Sequence, residues 1–364
     1  VLPAMADIGF YPDIIQACDW ETALLPLYRK INFDKQRHFK KCRFLFSIHN
    51  LAYQGSFRPR AAEKIGIGAK FLRTLKSGGR VNFMKAGILY SDAINTVSKK
   101  YAREILTKEY GCGLDKVLKR RKKDLYGILN GVDYSNWNPE TDKLIPVNYN
   151  SRALEDKLTC KSELLKKMGM TLPLSSPLLG FVGRLAEQKG IDLMIDAIDG
   201  IIKMGAGFIL LGAGMEKYEK TLKNLAKEKA GKIGISIAFN DRLAHMIEAG
   251  VDIFLMPSRY EPCGLNQMYS LKYGTIPVVR TTGGLDDTIT DYSKYPDRGN
   301  GFKFEKVRTK EFLGTIKRAI NIFNNKKEWL KLQKRAMGYD FSWLSAAGEY
   351  AALYEKMTGK RGNR

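Results

Sequence analysis

Short apolar runs recur along this chain, each followed by a longer amphipathic stretch, and they fall into two series. The first comprises Asp13–Ala17, Arg43–Ile48, Ala93–Val97 and Leu125–Leu129. The second comprises Leu178–Val182, Gly207–Leu211, Ile233–Ala238, Asp252–Met256 and Ile276–Val279. Several are rich in Ile, Val, Leu and Phe, the composition of strands covered on both faces. Strands of this kind separated by helical periods are βαβ units, so the pattern predicts an α/β protein with parallel sheets. At 364 residues the chain is long enough for two domains of roughly 150 residues each. Between the series lie Asn138-Pro139, Ile145-Pro146 and Leu172-Pro173-Leu174-Ser175-Ser176-Pro177, which read as a connection with a helix inside it. The expected division is therefore 1–140, a connection at 141–175, a second domain at 176–340 and a final helix within 341–364. In that last segment Ala346, Tyr350, Leu353, Tyr354 and Met357 share one helical face, the mark of a packing helix, and Gly359 to Arg364 reads as a frayed polar tail.

Composition removes several classes. No apolar run approaches the ~20 residues a membrane span needs, and the mean hydropathy is -0.29. Five cysteines, an odd number without repeating spacing, do not make a disulfide scaffold and fit a reducing compartment. The 61 basic and 38 acidic residues leave a net charge of +23, which suggests an anionic partner. The densest run, Lys119-Arg120-Arg121-Lys122-Lys123, precedes Asp124 and reads as a solvated helix end. It lacks the interleaved aromatics of a nucleic-acid groove. The chain begins at Val1 and shows no signal peptide, and its front reads as cut.

In parallel sheets chemistry gathers in the loops after the carboxyl ends of strands, which selects five segments. Leu179-Gly-Phe-Val-Gly-Arg-Leu-Ala-Glu-Gln-Lys-Gly190 places Arg184 and Lys189 around a helix start, where free N–H groups already favour anions. That suits a diphosphate, with Arg forking onto two oxygens and Lys acting as a point charge. Asp252-Ile-Phe-Leu-Met-Pro-Ser-Arg-Tyr-Glu-Pro-Cys-Gly-Leu265 puts Glu261 at a strand's end. It is followed by Gly264, which permits close approach of a ligand to the backbone, and by amides from Gly264 to Asn266 that can meet phosphate. Cys263 reads as a small packing residue, since no histidine is near it in sequence. In Ile276-Pro-Val-Val-Arg-Thr-Thr-Gly-Gly-Leu-Asp-Asp-Thr288, Gly283-Gly284 make a tight loop. Asp286-Asp287 complement a helix dipole rather than form a metal pair.

Phe44-Leu-Phe-Ser-Ile-His-Asn-Leu-Ala-Tyr-Gln-Gly55 carries His49 just past an apolar strand. Of the other two histidines, His38 lies in a basic stretch and His245 in an amphipathic helix, where it reads as structural. Pro12-Asp-Ile-Ile-Gln-Ala-Cys-Asp-Trp20 again ends a strand at a polar residue, Asp19. The glycine turn Leu211-Gly-Ala-Gly214 is weak evidence alone.

Taken together the chain resembles the bacterial glycogen synthase and plant starch synthase family. The resemblance runs through Ser47-Ile-His-Asn-Leu-Ala-Tyr-Gln-Gly55, Asn95-Thr-Val-Ser98 with Tyr101-Ala-Arg-Glu104, and Gly127-Ile-Leu-Asn-Gly-Val-Asp133 with Trp137-Asn-Pro139. It continues through Gly183-Arg-Leu185 with Gln188-Lys-Gly190, Pro257-Ser-Arg-Tyr-Glu-Pro-Cys-Gly-Leu265 and Thr282-Gly-Gly-Leu285. It implies the GT-B architecture, two facing Rossmann-like domains, with the final helix crossing back onto the first. It implies retaining transfer of glucose from ADP-glucose to the non-reducing end of an α-1,4-glucan, glycogen or starch. By resemblance Arg184 and Lys189 bind the donor phosphates and Glu261 holds glucose hydroxyls. Gly264, Leu265 and Asn266 contact phosphate and ribose, with Gly283 and Gly284 also donor-binding. His49 and Asn130 line the glucose pocket and Asp19 borders the glucose and acceptor site. No metal, no other cofactor, no nucleic acid and no membrane is implied. A bacterial cytoplasm is expected, or a plastid for a plant enzyme.

Two departures stand out. The family usually reads His-Ala-His-Asp-Trp where this chain has Gln16-Ala-Cys18-Asp19-Trp20. The family's opening segment, with its Lys-x-Gly-Gly-Leu donor loop, does not precede Val1. The first domain is therefore expected to be incomplete at its N-terminus, its sheet to carry an unpaired edge, and the chain alone to be weak or inactive in transfer. The rival readings are a GT-B enzyme using UDP-glucose, a catalytically silent glucan-binding protein derived from a synthase, and, from charge alone, a nucleic-acid binder.

Overall fold

The computed structural model describes residues 1–34 and 36–359, with backbone only at 37, 38 and 61. The expected setting of the His38 side chain and the tail from 360 onward lie outside the described residues. The chain divides into two compact units: residues 1–130 with 344–364, and residues 131–343. The stretch 141–175, expected as a connection, lies within the second unit.

The strands run in chain order β1 Ile14–Cys18, β2 Arg43–Ile48, β3 Ser56–Phe57, β4 Lys76–Ser77, β5 Arg80–Asn82, β6 Ala93–Thr96 and β7 Leu125–Gly127. In the first unit β1-β2-β6-β7 form one parallel sheet. Phe44, Leu45, Phe46 and Ile48 of β2 are fully buried, as their unbroken apolar run demands. β3, β5 and β4 make a small antiparallel sheet that the sequence reading missed. Its tightest signal is Gly78-Gly79 between β4 and β5, a two-residue hairpin turn with both residues at positive φ. The helix Trp343–Thr358 returns to this unit. Its Leu353, with Tyr350, Tyr354 and Met357, packs against Leu45, Ala93 and Ile128.

Arg121, taken as part of a solvated basic run, is an anchor. Its guanidinium donates to the carbonyls of Ile88 at 2.6 Å and Ser91 at 2.8 Å, and to Asp124 at 2.8 Å. Five otherwise identical-looking cations gave no cue that one of them meets carbonyls ~30 residues away in the chain.

The second unit adds β8 Leu178–Val182, β9 Gly207–Leu211, β10 Ile233–Ser236, β11 Ile253–Met256, β12 Ile276–Arg280 and β13 Phe302–Phe304. All pairings are parallel, in the order β10-β9-β8-β11-β12-β13. Counted within the unit this is 3-2-1-4-5-6, the doubly wound order, whose ligand crevice opens where the order reverses, between β8 and β11. β13, only three residues long, was not anticipated. Helices cover both faces through apolar stripes. In Ile191–Lys203, for example, Ile191, Met194, Ala197, Ile198 and Ile201 are buried at helical spacing.

The 141–175 stretch is held by buried charge. Lys161, 1% exposed, donates to Leu174 O at 2.9 Å, Ser176 O at 2.5 Å and Asp252 Oδ2 at 2.7 Å. Asp252 also accepts from Leu178 N at 2.8 Å. Every ammonium proton is satisfied, so a buried charge is tolerated here. Lys157 is buried as well, donating to Ala249 O and Thr275 Oγ1. Burial pulls its ammonium down to about 8. Nearby, His245 is structural as expected: Nδ1 meets Asp142 at 2.8 Å and the ring stacks on Trp137 at 3.7 Å.

Candidate functional site

In the first unit β1 ends at Cys18 and β2 at Ile48, neighbours in the parallel sheet, so Asp19 and His49 emerge side by side at its carboxyl edge. Asp19 takes φ +53°, the left-handed region that is sparsely populated outside glycine and most tolerable for Asp and Asn. That turn aims its carboxylate at His49. Oδ1 accepts from the His49 backbone N–H at 2.8 Å and Oδ2 from the ring Nδ1 at 2.8 Å. A carboxylate only accepts, so the proton sits on Nδ1 and Nε2 of this exposed side chain is left for a ligand. The hydrogen bond to Asp19 raises the His49 pKa above its ordinary value, outweighing the opposite effect of burial. Asn130 is half-buried at the end of the first unit's leading segment. Among the described residues no hydrogen bond joins it to Asp19 or His49.

In the second unit the loops after β8 and β11 flank the switch point and are joined to one another. Gln188 O accepts from Arg259 N at 2.8 Å, and Gln188 Nε2 donates to Tyr260 O at 3.2 Å. Lys189 Nζ donates to Glu261 Oε2 at 2.5 Å, which also accepts from Ser258 Oγ at 3.0 Å. Glu261 is 5% exposed and so needs both partners. Arg184 is exposed, and its NH2 group reaches Gln188 Oε1 at 3.5 Å. The helix expected to begin near Lys189 starts at Ile191, and Glu187–Lys189 form a 3-10 turn. Gly190, at φ +68°, closes that turn where a Cβ would lie 2.3 Å from Pro257 O.

The third loop locks onto the second. A Cβ on Gly283, at φ +44°, would lie 1.9 Å from Glu261 O, and one on Gly284 would lie 2.0 Å from Cys263 O. Gly284 N donates to Glu261 O at 3.1 Å. Glycine is therefore required for the backbone of the two loops to touch. Asn266 Nδ2 donates to Val182 O at 2.9 Å, tying the helix after Leu265 to β8. Asp286 pairs with Lys303 and Cys263 is buried.

Sequence reasoning missed two residues that brace this site and one exposed ring at the same edge of the sheet. Arg280, 7% exposed, donates to Ser258 O at 2.8 Å and to Arg259 O, holding the Glu261 loop from beneath. Arg259 grips Asp192 through two nitrogens at 3.1 and 2.6 Å. Phe239, in the loop after β10, is 97% exposed, an apolar ring held in water at the same edge of the sheet. A lone Phe beside the N-cap Asn240 was the available signal.

The family model described as starch synthase catalytic domain matches residues 1–120, and that of glycosyl transferases group 1 matches residues 169–335. Glycogen synthase of Thermosipho africanus is 45% identical over 364 residues, 99% of this chain and 75% of that protein. Glycogen synthase of Moorella thermoacetica is 43% identical over 99% of this chain and 74% of that protein. The catalytic domain of starch synthase IV from Arabidopsis thaliana, solved with ADP and acarbose, superposes with a TM-score of 0.91 at 32% identity, covering 99% of this chain and 76% of that one. At 16% identity and a TM-score of 0.63, sucrose-phosphate synthase from Thermosynechococcus elongatus shares the GT-B fold alone. With two parallel-sheet units, switch-point loops at β8 and β11 and relatives matched over nearly all its length, this chain belongs to the glycogen synthase and starch synthase family of glycosyltransferases.

Proposed function

We propose that the chain transfers glucose from ADP-glucose to the 4-hydroxyl at the non-reducing end of an α-1,4-glucan with retention of configuration. The observation that carries this reading is the joining of Lys189 to Glu261 across the switch point of the second sheet. One ion pair there presents a cation for a diphosphate and a carboxylate for sugar hydroxyls. Arg184, exposed beside it, supplies the second cation. Charge that builds on the departing diphosphate meets donors already in place, which lowers the barrier without reorganisation. The backbone of Gly264, Leu265 and Asn266 serves phosphate and ribose, with Gly283 and Gly284 fixing its course. Phe239 offers a face for the nucleobase. His49, Asp19 and Asn130 serve the glucose and acceptor. The bound ADP and acarbose of the Arabidopsis relative support this choice of ligands.

No described helix is long and apolar enough to cross a membrane, and no disulfide joins any of the five cysteines. Both fit a bacterial cytoplasm or a plastid stroma. The test is label transfer into glycogen from ADP-glucose and from UDP-glucose in parallel. Preferential incorporation from ADP-glucose is expected. Preference for UDP-glucose overturns the donor assignment, and glycogen binding without transfer from either donor, even with the family's opening segment restored, favours the silent glucan binder.

A further inference from the structure

Directly behind Asp19 and His49 a chain of five polar side chains crosses three strands and ends on one helix. Tyr354 OH donates to Gln16 Oε1, and Gln16 Nε2 donates to Ser47 Oγ at 2.8 Å. Ser47 Oγ donates to Asn95 Oδ1 at 2.6 Å, and Asn95 Nδ2 donates to Tyr350 OH at 3.1 Å. Ser47 lies in register with Cys18 on one side and Asn95 on the other. Both tyrosines come from the C-terminal helix, one turn apart, with ring centroids 6.1 Å apart. Ser47 and Asn95 are buried at 1% and 0%, so each bond in the chain fixes the direction of the next. The residues it holds lie three before Asp19 and two before His49.

We infer that Tyr354 and Gln16, backed by Ser47, Asn95 and Tyr350, are positioning residues that hold the ends of β1 and β2 in the register bringing Asp19 against His49. Gln16 stands where the family usually has histidine. Its amide does what the relay needs in one direction only, accepting from the helix and donating to the sheet. The left-handed turn at Asp19 begins immediately after β1, and such a conformation persists only where its surroundings over-determine it. The catalytic consequence rests on the assignment of Asp19 and His49 to the glucose site. The positioning itself does not.

The test uses the full chain labelled with 15N-histidine, in which three histidines make the His49 imidazole assignable through His49→Asn. Its Nδ1 proton, held by a carboxylate, gives a distinct downfield signal. Tyr354→Phe, which removes one oxygen, and Gln16→Met, which keeps the shape, are expected to shift or broaden that signal while that of His245 stays. Lys356→Ala, on the same helix but over Tyr126, is expected to leave it in place. With transfer measured alongside, Tyr354→Phe is expected to lower kcat about fivefold with donor KM changed less than about twofold, the scale of one neutral hydrogen bond. An unchanged His49 signal in both Tyr354→Phe and Gln16→Met overturns the inference, whatever happens to kcat. If the signal moves but Asp19→Asn leaves kcat intact, the positioning stands and the assignment of Asp19 to the glucose site falls.

Discussion

One carboxylate holds one histidine twice: Asp19 accepts both the backbone N–H and the ring Nδ1–H of His49, each at 2.8 Å. The pair raises the His49 pKa above its ordinary 6.5. A raised pKa means the interaction stabilises most below pH 6.5 and fades as pH rises through the folded value. Asp19→Asn is therefore expected to lower the His49 midpoint in an NMR titration. The stability gap between wild type and variant should shrink as pH rises above that window. An unmoved midpoint would show that the contact is absent in solution.

Arg184 and Lys189 both face the proposed diphosphate, yet they should fail differently. Arg184 is exposed, so Arg184→Ala is expected to cut kcat by about 10²-fold or more, the scale for losing one charge-stabilising donor, with Tm unchanged. Lys189→Ala also leaves Glu261 buried with Ser258 as its remaining partner, costing about 3 kcal/mol of stability. Steady-state kinetics beside thermal unfolding separates the two. Equal Tm losses would refute the distinction.

Phe239 is 97% exposed, so its truncation removes almost no folded-state packing. Phe239→Ala is expected to keep Tm and raise donor KM by about tenfold, as stacking on a base is worth ~1–3 kcal/mol. ADP inhibition should weaken in parallel. No change in either constant removes Phe239 from the site.

Glu248 is buried in the second unit, and burial pushes its carboxyl up to about 8 even though Ser270 Oγ donates to it at 2.6 Å. A raised carboxylate pKa stabilises the fold below pH 4.5 and loses that contribution progressively up to about pH 8. Glu248→Gln, neutral throughout, is expected to flatten the decline in denaturant midpoint over this window. A variant with the same slope as wild type would place the titration elsewhere.

The strands were legible because burial on both faces writes itself as continuous apolar sequence. β2, β8 and β9 ran to the expected residues, while β13, at three residues, carried too little pattern. The candidate loops were legible because ligand sites of parallel sheets gather at strand ends, and Asp19, His49, Lys189 and Glu261 lie in loops of that kind. The buried polar anchors were illegible for another reason. Lys157, Lys161, Arg121 and Arg280 look like surface residues until the distant carbonyls that receive them are known. The same holds for Gln16, whose partner Tyr354 is 338 residues away.

That separation has a consequence for the order in which the protein is made. Residues 131–343 form the second unit from one uninterrupted stretch, available to fold while synthesis continues. The first unit, although residues 1–130 precede the second unit, waits for the helix at 343–358 to leave the ribosome. Until then Gln16 and Asn95 have no tyrosine to meet. The strand that carries Gln16 is made well before its partner Tyr354 and is among the last to reach its final contacts.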